Sequence, residues 1–123
     1  MLLSCSSYSN NGGSRTQLTS RAFVSNPVHP TFTGGGTPVL EIMDTNRDLI
    51  SGLTVPLASL SGTMADPGMM SVSPNRASTL VMSTLDHKLG LVDNTKEAVS
   101  NALTLPGVSD SFFLWTDNTT AFV

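Results

Sequence analysis

Apolar residues are distributed unevenly along this chain. Between positions 6 and 36 they cluster only at Ala22-Phe23-Val24 and Val28-His29-Pro30-Thr31-Phe32, within a background of Ser, Thr, Asn and Gly that ends in Gly34-Gly35-Gly36. Such a segment buries too little apolar surface to offset the roughly 1–2 kcal/mol per residue lost when a backbone is ordered. Residues 1–36 therefore read as an extended arm that takes its order from whatever it grips, and residues 37–123 as the body. Phe23, Val24, Val28 and Phe32 are the candidate anchors, able to fill pockets if the arm adds as a strand to a neighbouring sheet edge. Pro27 and Pro30, lacking N–H donors, restrict such pairing to one edge.

The body is patterned mainly for strands. Val39-Leu40-Glu41-Ile42-Met43, the polar turn 44–48 and Leu49-Ile50 form a hairpin pattern. Leu53 to Leu57, interrupted by Pro56, suits an edge strand or an ordered loop. Asp66-Pro67-Gly68 marks a tight turn, and residues 69–72 and 79–85 read as two short strands joined by Ser73-Pro74-Asn75-Arg76. One helix is expected. Asn94 is placed as its N-cap and Glu97 as the capping-box acid, Ala98, Val99, Ala102 and Leu103 recur on one face, and Pro106-Gly107 stops it. Residues 111–115 form the most apolar strand, turned by Asp117-Asn118 into 119–123. Phe112, Phe113 and Trp115 are assigned to the core. The expected fold class is mainly β: a small β-sandwich or barrel-like body with one short α-helix and an extended N-terminal arm.

Composition shifts this picture toward assembly. Only 12% of the 123 residues are charged, against 39% hydrophobic, and about 25% charged is usual for soluble domains. A subunit packed among neighbours needs fewer surface charges than a lone monomer. The charge is also split. Residues 1–36 carry Arg15 and Arg21 and no acid, whereas 37–123 carry nine acids against four bases, so the chain totals −3. An arm of one sign on a body of the other favours contact between copies and a homo-oligomer. Two charges supply no basic stripe, so no nucleic-acid partner is expected. No stretch approaches the ~18 apolar residues of a membrane span.

Candidate chemistry is thin. Asp44-x-Asn46-x-Asp48 matches the opening of a calcium loop, but Leu49 replaces its glycine and Val55 its closing glutamate, so a polar hairpin turn accounts for it. His29 and His87 have no metal-binding spacing, and Cys5 can form neither an internal disulfide nor a thiolate cluster. Asp86-His87 lacks a serine in a nucleophile elbow. Gly34-Gly35-Gly36 has neither the flanking strand and helix nor the Lys-Ser/Thr ending of a phosphate loop, and reads as a joint. Leu2-Leu3-Ser4-Cys5 resembles a lipoprotein cleavage box without the preceding basic and apolar regions. The six methionines, Met64, Met69 and Met70 among them, serve as adaptable core filler. No catalytic residue, metal or cofactor is assigned, and the chain is read as not being an enzyme.

The run from Thr37 through Pro38, Val39-Leu40-Glu41-Ile42-Met43 and Asp44-Thr45 to Leu49-Ile50 resembles the start of the body in lambda-type phage head decoration proteins, which also follow a small-residue arm and close on an Ala/Phe/Val-containing strand. That resemblance implies a non-enzymatic capsid cement that trimerises at local threefold axes of the virion and braces major capsid subunits through its arm. The expected function is accordingly a structural subunit of a large assembly, a capsid decoration or minor capsid protein. An extracellular filament or secreted adhesive subunit is the alternative, and a small hydrolase or ligand-binding domain the second.

Overall fold

Side-chain alternation decides how the central strands face. A computed structural model describes residues 14–57, 66–83, 85–107 and 114–123. In β2 (Gly36–Asp44), Leu40 and Ile42 are fully buried on one face while Glu41 and Met43 lie half-buried on the other. β1 (Arg21–Pro30) and β3 (Leu49–Pro56) pair antiparallel on either side of it, in the order β1-β2-β3. The register sets Phe23 beside Ile42 and Leu40 beside Val55. Phe23 and Val55 therefore share the inner face.

The second sheet has the order β4-β5-β6-β7, formed by Pro67–Val72, Ser78–Ser83, Lys88–Asp93 and Ala98–Thr104. Its middle strand reads Leu80-Val81-Met82 without a polar interruption, as expected of a strand covered on both faces. Val81 joins Leu40, Ile42, Val55, Leu57 and Val92 in the core between the two sheets, with Leu18, Phe23, Met70 and Val99 packed against it. Leu80 and Met82 point the other way, into a second cluster with Met69, Leu89, Leu91, Trp115 and Ala121. That outer cluster is roofed by a small hairpin, β8 (Leu114–Trp115) with β9 (Ala121–Phe122). Trp115 Nε1 donates to the Ser71 carbonyl at 3.2 Å, tying this roof to β4. The body is thus a β-sandwich with a partial third layer. Phe112 and Phe113 lie outside the described residues.

Two expectations are corrected. All elements among the described residues are strands, and the segment read as a helix is a hairpin turn, 94–97, followed by β7. The Asp93 carboxylate accepts from the N–H groups of Thr95 and Lys96 at 2.9 and 3.0 Å. Such side-chain-to-backbone bonds serve a turn as well as a helix start, so the capping signal was ambiguous. Glu97 then takes a left-handed φ of 52°, which ends any right-handed helix and turns the chain into β7.

The arm boundary also moves. Residues 21–30 pair with β2 of their own chain, and residues from 36 onward belong to β2 itself, so 21–36 is part of the sandwich and not an arm. The two strands join through a tight loop in which Gly34 and Gly35 have φ of 82° and 86°, conformations glycine adopts without a steric penalty. Residues 1–13, including Cys5, lie outside the described residues.

Candidate functional site

A buried polar network fastens β1 to the far sheet. Glu97 is fully buried, and its carboxylate accepts from Thr16 N at 2.7 Å and from Thr16 Oγ1 at 2.5 Å. Arg21 Nε lies 3.2 Å from the same carboxylate. The Arg21 guanidinium also donates to the Leu18 and Asn94 carbonyls. Asn94 in turn accepts from Thr79 Oγ1 at 2.8 Å and donates to the Arg76 carbonyl at 2.9 Å. A buried carboxylate is tolerated only when paired and hydrogen-bonded, and this one has all three bonds it needs from residues more than seventy positions away. The polar composition of the leading segment is therefore compatible with order, because its Arg and Thr satisfy a buried acid.

Beside this network, between the β1 side of one sheet and the β4 side of the other, a cleft of about 600 Å³ is lined by Arg21, Phe23, Met70, Val72, Arg76 and Asn94. Phe23, Met70 and Val72 give it apolar surface, and Arg21, Arg76 and Asn94 give it cationic and amide groups. Arg21 is matched by Glu97, whereas the Arg76 side chain makes no ion pair among the described residues. Arg76 has a φ of 61°, fixed by its N–H bond to the Ser73 carbonyl and by Asn94.

At the opposite end of β1 lies the display hairpin. Glu41 Oε1 accepts from Asn26 Nδ2 at 2.8 Å and lies 3.1 Å from His29 Nδ1. The Asn26 hydrogen bond first, and the bond to His29 second, hold the Glu41 carboxyl below its ordinary value. Asn26 Oδ1 also accepts from Val28 N at 3.0 Å, across the irregularity in pairing between Asn26 and His29. Within this clasp the chain exposes Val28 by 66%, and beyond it Phe32 completely.

The four candidate anchors consequently separate. Phe23 packs against the core between the sheets, because the register puts it opposite Ile42. Val24, on the outer face, is 40% exposed, and Val28 and Phe32 project from the hairpin end. The calcium-like segment forms the β2–β3 turn: Asp44 is buried, accepts from Asn46 N at 3.0 Å and pairs with Arg47 at 3.7 Å. Among the described residues no three His, Cys, Asp or Glu come together as a metal site, and no helix is long and apolar enough to cross a membrane. Met64 lies outside the described residues.

The Arg21–Glu97 pair was missed by sequence reasoning, although a signal for the turn that positions it existed. Asp44-Thr45-Asn46-Arg47-Asp48 and Asp93-Asn94-Thr95-Lys96-Glu97 share one order: Asp, two of Thr and Asn, a base, an acid. Both make hairpin turns whose last residue is left-handed, φ 53° at Asp48 and 52° at Glu97. Reading the first as a turn was reason to read the second likewise.

The fold defines a small antiparallel β-sandwich. No protein-family model matches the chain, and no curated protein shows significant similarity to it.

Proposed function

We propose that this chain is a non-enzymatic structural subunit of a large protein assembly, with a viral capsid, where it would act as a decoration or minor shell protein, as its setting. The observation that carries the reading is the display hairpin. A clasped strand pair holds Val28 and a wholly exposed Phe32 away from the core. An exposed large aromatic contributes nothing to its own fold and costs solubility, while aromatic anchors dominate binding at interfaces. The low charge density supports the same reading.

The fastening mechanism differs from a freely donated arm. Residues 21–36 are held within the sandwich, so grip falls to the side chains the hairpin projects. Multiple copies on one shell would turn weak individual contacts into firm retention.

The test is sucrose-gradient sedimentation of native source material, followed with an antibody to the chain. Co-migration with fast-sedimenting particles, and loss of that co-migration in Phe32→Ser, is expected. Recovery of the chain only in the slow fractions refutes the proposal.

A further inference from the structure

We infer that the cleft beside Arg76 is half of a self-complementary interface, and that its occupant is the β2–β3 turn of a second copy of this chain. The inference rests on the assembly reading and names one contact within it. The cleft offers the apolar side chains of Phe23, Met70 and Val72, the last 52% exposed, together with one cation, Arg76, that makes no ion pair among the described residues. The turn offers the converse. Asp44 and Arg47 pair with each other, leaving Asp48 without an ion pair among the described residues. Directly after it, Leu49 and Ile50 are 60% and 50% exposed. An anion with no ion pair among the described residues, beside an exposed aliphatic side chain on one face of β3, complements a cation in the same state set beside apolar side chains.

Placement supplies the symmetry. Ser20 lines the cleft, and it is also bound to the turn: Thr45 N donates to the Ser20 carbonyl at 3.2 Å, and the two hydroxyls lie 2.6 Å apart. Turn and cleft therefore sit side by side on one end of the molecule. This tether keeps the turn at the cleft wall of its own chain. A second copy related by a two-fold axis passing near Ser20 and Thr45 can place its turn in this cleft and receive this turn in its own. Such an arrangement closes at two subunits instead of propagating into a fibre. In a chain with a net charge of −3, an Asp48–Arg76 contact between copies sets opposite charges against each other on this face.

Sedimentation equilibrium of the full chain tests the interface with Asp48→Arg, Arg76→Asp and the double swap. Wild-type protein is expected to dimerise, each single swap to weaken the dimer at least tenfold, and the double swap to recover most of that loss. Because both positions are left-handed, Asp48→Asn and Val72→Ser are measured as well. Asn tolerates that conformation, and both are expected to weaken dimerisation with circular dichroism unchanged. A wild-type monomer throughout overturns the inference, as do variants that leave the dimer constant unaltered or a folded double swap that stays monomeric. A dimer indifferent to these substitutions defeats this interface and leaves the assembly reading standing. A swap-sensitive dimer absent from particle fractions does the reverse.

Discussion

Removing the Glu97 carboxylate should unfasten the leading strand. In Glu97→Ala, Thr16 N loses a charged acceptor at 2.7 Å, and Arg21, only 21% exposed, loses its one counter-ion among the described residues. A hydrogen bond to a charged group contributes about 1.5–3 kcal/mol, and stranding one member of a buried pair costs about 3–5 kcal/mol. These overlap, and Arg21 keeps the Leu18 and Asn94 carbonyls, so the expected loss is about 3–4 kcal/mol. Against a typical domain stability of about 5–15 kcal/mol, that is a large fraction. With a urea slope of roughly 1–3 kcal/mol per molar, the unfolding midpoint falls by more than about 1 M. Amide exchange should accelerate first in residues 21–26, and trypsin should begin to cut after Arg21, which the intact staple protects. Arg21→Met in the same background should add little, since the two residues act as one unit. A loss below about 1 kcal/mol, or uniform acceleration of exchange across both sheets, would show that the staple does not hold β1.

Gly36→Ala should cost about 1–3 kcal/mol by overpacking, because its new Cβ would meet the Val28 side chain and lie 2.9 Å from the Val28 Cα; an unchanged thermal midpoint contradicts this. Glu41 has a depressed carboxyl pKa in the folded state, so its contribution is present above the unfolded value, about 4.3, and disappears as pH falls through the folded one. Glu41→Gln should therefore flatten the acid limb of the stability curve, and Asn26→Ala should raise the Glu41 pKa in an NMR titration; no movement there removes Asn26 as the cause. Trp115→Phe keeps the apolar ring but forfeits the bond to Ser71, so about 1 kcal/mol is expected in chemical denaturation, with β8 and β9 losing exchange protection ahead of the sandwich.

The strand content of the body was legible because its signals are local. Val39 to Met43 is apolar except at Glu41, Asp44 to Asp48 turns, and Leu80-Val81-Met82 is apolar without a break, each readable within a few residues. The helix over 94–103 was misread for the same reason. Asp93 makes turn-type hydrogen bonds that a helix start and a hairpin both use, and the left-handed Glu97 that separates the two was marked only by the likeness of 93–97 to the turn at 44–48. Of the candidate anchors, exposure of Val28 and Phe32 follows from the hairpin register, which also carries Phe23 inward.

Sequence alone determined that this chain is mainly β, sparingly charged, and folded into a hairpin over 39–50, because apolar runs, composition and turn chemistry are properties of neighbours. Tertiary structure decided that residues 21–36 belong to the sandwich. That outcome depends on a buried glutamate meeting an arginine seventy-six positions away, and the free energy of such a pair exists only once the two sheets have packed around it.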